Sequence, residues 1–283
     1  MSSARQRQLV KLNRLLVRQE GLAERDLAKV IKGMAGRIAE RHHYGAEDAL
    51  LQLVDEARPE IVGVLEKRLL QTALIFGGFA LDRFEGMAKS YYPGLPEGLG
   101  PVRGGPEDER EVPCPWYEAK DAREVFESTI LRWVKLHALD RAVTITRTLK
   151  EAVRKVLVDS FADGTGEAGT SKAIRDKIGR ALSASSAARI ARTEMHTAAN
   201  LGADEAARST GLEMVKEWAA AEDSRTRASH ATADGQEVHL DEPFNVGGAS
   251  LMMPGDPSGP AKEIINCRCT VLHHPIIGGE IIR

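Results

Sequence analysis

Apolar residues in the first ninety positions recur at helical spacing. Leu9, Leu12, Leu15 and Leu16 fall three or four apart or side by side on one face, as do Leu50, Leu51 and Val54, then Ile61, Val62 and Leu65. That period predicts amphipathic helices over residues 3–90. The stretch RHHYGAEDALLQLVDEA reads as a loop followed by a new helix, with Pro59 at a break or in a first helical turn. Between 91 and 120 the period is lost among prolines and glycines, which predicts a long loop or linker. Helical texture returns from about 121 to 162. A glycine-rich turn follows, with Thr170 or Ser171 as an N-cap, and then a helix over 186–209. Ser183, Ser185 and Ser186 are candidate caps of that helix, and Gly211 closes it.

Past Gly211 the pattern shortens. EMVKEWAA alternates like a strand, and Asp223 is placed to cap a short helix. Asp234-Gly235 marks a tight turn, MMPGDPSGPAKE is turn-rich, and IINCRCTVLHHPII and GGEIIR read as strands. The fold class expected is α+β: a predominantly α-helical N-terminal region with a small C-terminal α+β module.

Composition narrows the picture. Aromatic residues make up 5% of the 283, so the core must rest on Leu, Ile, Val and Ala. A formal charge of -2 argues against nucleic-acid binding by bulk electrostatics. Locally, Arg5, Arg7, Lys11, Arg14 and Arg18 occupy the first eighteen residues with no acid among them. They form either a solvated helix face or a contact for DNA or an acidic partner. The apolar stretch ALIFGGFAL is far too short for a membrane span, and the N-terminus does not read as a secretory signal. Three cysteines without an even framework suggest a reducing compartment and cytoplasmic synthesis, with Cys114 a lone thiol.

Three polar clusters carry candidate chemistry. On the 186–209 helix, Arg189, Arg192 or Thr193, His196 and Asn200 line one face, with Glu194 beside them. They are either buried hydrogen bonds pinning the helix or a cleft. Asp223, Arg227 and His230 are four and three residues apart and would share a helix face. They fit either a phosphate site, with Arg holding and His moving a proton, or a capping network in which Arg227 meets Asp223 or Glu194. Cys267 and Cys269, placed in a strand, would point to one side and Arg268 to the other. Packed structural cysteines, a zinc site completed by His230, His239, His273 or His274, and a redox or nucleophilic role all remain open. Structural zinc sites space paired cysteines by two to four residues, and here one intervenes. A disulfide between them would be strained. No cofactor is expected, and zinc at Cys267, Cys269 and His230 is the exception kept open. No phosphate-binding loop, dinucleotide fingerprint or hydrolase motif is present.

Four phrases in order, GEAGTSKAIRDKI, ARIARTEMHTAAN, EWAAAEDSRTRASHATADGQ and MPGDPSGPAKEIINCRC, resemble the Mu F-like phage minor head proteins, also called phage head morphogenesis proteins. The resemblance covers about residues 140–275. Positions matching the family pattern are Arg192, Thr193, Glu194, Asn200, Trp218, Asp223, Arg225, Arg227, His230, Asp234, Gly235, Asn266, Cys267, Arg268 and Cys269. In HATADG, Ala233 stands where many relatives carry a larger apolar residue. The patterning divides the chain into a helical region 1–90, a linker 91–120 and a segment 121–283, and the resemblance, which does not cover residues 1–120, places the Mu F-like domain within the last. It further implies a minor capsid protein active in head morphogenesis. Its partners would be portal or capsid proteins, or DNA; the basic N-terminal helix, outside the resemblance, is the sequence's own candidate for a DNA contact, and no membrane partner is expected. The location would be the host cytoplasm during assembly, then the inside of the head. The competing class is a nuclease or other phosphoryl-transfer enzyme using Glu194, His230 and Arg227. The motif residues are expected to form one polar network, with Asn266 and an arginine joined to Glu194 and Asp223.

Overall fold

The computed structural model describes residues 3–41, 47–91, 122–165, 168–170, 172–174, 176 and 184–283. Apart from Tyr91, the linker expected over 91–120 lies outside these residues, as do Cys114, Ser171 and Ser183. The helices expected from leucine spacing are present as α1 (Ser3–Arg41), α2 (Glu47–Glu56), α3 (Arg58–Tyr91) and α4 (Ala122–Ala162). Pro59 occupies the first turn of α3, where its missing N–H leaves no intrahelical bond unmade. Next comes α5 (Ala184–Ser209), which already includes Ser185 and Ser186, so these two serines are helical residues rather than caps.

The C-terminal module follows: β1 (Met214–Ala219), α6 (Ala228–Ala233), β2 (Glu237–His239), β3 (Phe244–Val246), β4 (Ala249–Leu251), α7 (Ala261–Ile264), β5 (Thr270–Ile277) and β6 (Glu280–Ile281). Helical N-terminal region and small sheet module together make the expected α+β fold. Among the described residues, no helix is long and apolar enough to cross a membrane.

The chain divides into two compact units, each assembled from separate stretches. One takes residues 14–69 and 133–195, and its described residues are helical apart from Ala57 and residues 163–165. Leu16, Leu27, Met34, Ile38, Leu50, Val54, Ile61, Leu65 and Leu69 are buried in it, the leucine stripes of the sequence turned inward. Its polar links include Arg68 on Asp26 at 2.6 Å and Lys150 on Asp55 at 2.5 Å.

The other unit takes residues 1–13, 70–132 and 196–283. Its sheet runs β2-β1-β5-β6 with every neighbouring pair antiparallel, and β3 and β4 form a separate hairpin. Gly247 and Gly248, at φ 60° and 81°, make the two-residue turn of that hairpin, a conformation side chains disfavour. Here α3 and α5 touch through backbone. A Cβ on Gly202 would lie 2.3 Å from the Ala73 carbonyl oxygen, so only glycine permits this approach. Trp218, Phe244, Val246, Leu251, Ala233, Cys267, Cys269 and Val271 form the module's core.

Strand β1 is buried along its whole length, so its alternation does not separate a wet face from a dry one. Lys216 shares the face of Met214 and Trp218 and donates from Nζ to the Met252 carbonyl at 2.8 Å. Burial lowers its pKa.

Candidate functional site

The second half of α5 presents the side chains that fasten the module. Asn200 is buried, and its amide grips the backbone at the start of β5. Nδ2 donates to the Cys269 carbonyl at 3.3 Å, and the Val271 N–H donates to Oδ1 at 2.9 Å. The amide therefore stands in for a strand neighbour and satisfies two backbone groups that water cannot reach. One turn earlier, Thr197 donates to the Gly255 carbonyl at 2.7 Å, which fastens the PGDPSG loop. Asp256 folds that loop by accepting from the backbone N–H groups of Met252 and Ser258. His196 is wholly buried, and burial holds its pKa down to about 4, with the nearby His230 and Arg268 pushing the same way.

Among the described residues, four carboxylate–histidine pairs are buried or part-buried. Glu194 Oε2 lies 2.7 Å from His137 Nε2, and its other oxygen accepts from Arg141 Nε at 3.0 Å. Burial works to raise the Glu194 pKa, but His137 and Arg141 together hold it below the ordinary value. Asp204 and His273 meet at 3.0 Å, and Glu217 and His274 at 2.9 Å. The fourth pair is Glu263 and His230, at 3.1 Å through Nε2.

His230 differs because its second nitrogen faces sulfur. Nδ1 lies 3.2 Å from Cys269 Sγ and 3.6 Å from Cys267 Sγ. All three residues are buried, and the Trp218 ring meets the imidazole edge-on at 5.4 Å. Ser229 Oγ donates to the same Glu263 oxygen at 2.9 Å. Cys269 is held low by the hydrogen bond from Cys267, with His230 helping, while Cys267 is pushed up by that same bond and by burial.

The two cysteines are not in a strand, as the sequence suggested. They sit in an irregular segment between α7 and β5, which begins only at Thr270. Asn266, at φ 57°, turns the chain there, a conformation asparagine tolerates better than most residues. The alternation survives nonetheless. Both sulfurs face His230, while Arg268 forms a fork with both carboxylate oxygens of Asp223 on the exposed side.

Asp223 likewise does not cap a helix. Its Oδ1 accepts the Arg225 backbone N–H at 2.9 Å and folds a turn. That turn ends before α6, whose N-cap position is Arg227, with no side-chain bond to the helix N-terminus. Asp223 and His230 therefore do not share a helix face. The hydrogen bond from Arg268 drives the Asp223 pKa well below the usual carboxylate value. Arg225 is exposed, with a guanidinium nitrogen 3.9 Å from Asp223. Arg227 donates to the Ile265 carbonyl. Asp234 accepts the Ala220 N–H at 2.8 Å and Arg5 at 3.0 Å. Arg192 lies 3.7 Å from Glu20, and Thr193, next to it on α5, is part-buried.

The candidate residues thus fall into separate groups. Asn200, His230, Cys267 and Cys269 converge around the start of β5. Asp223, Arg225 and Arg268 form an exposed cluster. Glu194 is engaged by His137 and Arg141. The three catalytic candidates, Glu194, His230 and Arg227, share no hydrogen-bond partner among the described residues. A cavity of about 720 Å³ exists in the sheet-bearing unit, but its walls include Arg5, Arg83, Glu217, Asp234 and His274 and none of those three.

Sequence reading missed several partners. His137 and Arg141 are four apart in WVKLHALDR and so share a helix face, a spacing that could have flagged them. Glu263, just ahead of the cysteines, carried no such signal.

Residues 151–272 match the family described as Phage Mu protein F like protein. Over 105 residues the chain is 39% identical to the minor head protein GP7 of Bacillus phage SPP1, covering 35% of this chain and 32% of that protein. Over 89 residues it is 39% identical to the NAD(+)–arginine ADP-ribosyltransferase EFV of Enterococcus faecalis, covering 30% and 18%. A longer, weaker likeness, 24% over 255 residues, joins it to the uncharacterized protein YqbB of Bacillus subtilis, covering 89% and 78%. The chain therefore spans about a third or less of the length of the first two relatives. No solved structure matches it.

Proposed function

Since residues 151–272 match the Mu F-like family and the chain is similar to a phage minor head protein, we propose that it acts in phage head morphogenesis as a portal-associated minor head protein. It is made in the host cytoplasm and ends inside the head. The likeness to the SPP1 minor head protein carries this reading. The use of the motif residues supports it: Asn200, His230, Glu194 and both cysteines are buried and engaged in holding the fold. Residues so engaged serve as scaffold, and partner recognition then belongs to the surface. The division into a helical region 1–90, a linker 91–120 and a Mu F-like domain over about 140–275 is part of the same reading. The ADP-ribosyltransferase shares only 18% of its length with the match, and its activity is not part of it.

DNA contact is the second reading, favoured by one observation. Of the basic residues on α1, Arg5 is bound to Glu217 and Asp234, and Lys11 lies over the Phe79 ring, whereas Arg7, Arg14 and Arg18 are exposed. Replacing those three by alanine lowers affinity for duplex DNA and flattens its salt dependence if they meet phosphates. The main reading is tested by mass spectrometry of purified heads and by affinity capture with the portal protein. The expected result is the chain inside heads at low copy number and retained on portal. Its absence from heads overturns the assignment.

A further inference from the structure

We infer that His230, Cys267 and Cys269 form a binding centre for a thiophilic divalent d10 cation, zinc(II). This goes beyond the head-assembly reading and does not depend on it. Their donor atoms, one imidazole nitrogen and two sulfurs, all lie within 4.8 Å of one another. Zinc bonds of about 2.3 Å to sulfur and about 2.0 Å to nitrogen at a tetrahedral angle hold nitrogen and sulfur about 3.5 Å apart. The two nitrogen–sulfur distances here, 3.2 and 3.6 Å, bracket that value. An ion therefore enters with little side-chain movement.

The surroundings prepare the ligands as a metal requires. Glu263 accepts from His230 Nε2, which places the ring proton there and leaves the Nδ1 lone pair directed at the sulfurs. Ser229 fixes the carboxylate in turn. The turn at Asn266 and the grip of Asn200 on the Cys269 carbonyl set both sulfurs on one side of the chain. Two thiolates and a divalent cation sum to zero charge, which suits a centre walled by Trp218, Phe244 and Val271. On binding, the thiol protons leave to solvent and no redox change occurs. Soft sulfur donors reject magnesium and calcium. Side chains of the described residues supply three ligands, so the ion keeps one position for water or another small ligand.

The test uses the full chain carrying Cys114→Ser, so that the paired cysteines are its only thiols. The protein is reduced, equilibrated with zinc(II), freed of excess metal and assayed for zinc, then loaded with cobalt(II) and examined for thiolate-to-cobalt absorption. The expected result is about one zinc per chain and the near-ultraviolet absorption of cobalt bound to thiolate. Cys267→Ser and Cys269→Ser abolish stoichiometric retention. Glu263→Gln, which keeps the shape of the side chain, weakens zinc affinity about tenfold or more. Should the serine variants fail to fold, the cobalt spectrum of the parent decides. Folded, reduced protein that retains no zinc and shows no cobalt–thiolate absorption overturns the inference. So does retention of copper(I) without zinc, or an unreduced chain two hydrogens lighter in mass, which would mean a Cys267–Cys269 disulfide.

Discussion

The helical unit and the sheet module solve burial differently. In the helical unit, leucine and isoleucine stripes fill the interior, and the buried Glu194 is closed off by His137 and Arg141. In the module, a short span of chain buries Lys216, Glu217, His230, Glu263, His273 and His274 beside Trp218 and Phe244, each with a named partner. Long helices satisfy their own backbone and need side chains only for packing. Strands of two to eight residues with irregular connections leave backbone groups that side chains must meet. The difference teaches that a cluster of polar motif residues in a small module is first a requirement of its fold.

The comparison can be broken from either side, and the largest effect falls in the helical unit. Glu194→Ala leaves His137 and Arg141 facing each other without their carboxylate. A buried pair broken this way costs about 3 to 4 kcal/mol, read as a fall in Tm. A loss below about 1 kcal/mol would show that the unit does not depend on this ion pair.

The module should weaken in mild acid by a comparable amount. His196 has a folded pKa of about 4 against an unfolded value near 6.5. The unfolded chain therefore binds more protons between those values. Stability is full above pH 6.5, falls as pH drops towards 4, and levels below it, by up to about 3 kcal/mol. Burial also lowers His273 and adds in the same direction. Denaturant titrations at pH 7 and pH 4.5 measure the loss, and His196→Gln should flatten the slope. An unchanged slope in that variant would assign the acid sensitivity elsewhere.

Asn200→Ala strands the Cys269 carbonyl and the Val271 N–H, costing about 2 kcal/mol. The smallest effect belongs to the exposed fork. Asp223→Ala changes stability by less than about 1 kcal/mol, because exposed ion pairs contribute little. If that variant keeps its Tm yet fails to support head assembly, the Asp223–Arg268 cluster is a partner contact and not part of the scaffold.

Much of the helical unit was legible because its rule is local: leucines at steps of three and four, with Pro59 in a first turn. The α+β class and strand β1 were legible for the same reason. Partners distant in sequence were not. Nothing near Glu194 points to α4, more than fifty residues upstream, although His137 and Arg141 bear the helical spacing. The cysteines looked like part of a strand because apolar residues flank them, but the left-handed turn at Asn266 delays β5 to Thr270. Asp223 looked like a helix cap because that is a common use of aspartate. Its carboxylate instead meets Arg268, forty-five residues downstream. Lys216 carried a usable hint: a lysine on the same strand face as Trp218 must find an acceptor.

The most direct measurement is hydrogen exchange at the Val271 amide in the parent and in Asn200→Ala. This N–H is bonded to the Asn200 side chain. If the motif residues are the module's scaffold, Val271 exchanges only with global opening in the parent and far faster in the variant. Exchange at loop rates in the parent, or protection unchanged by the substitution, would contradict the account.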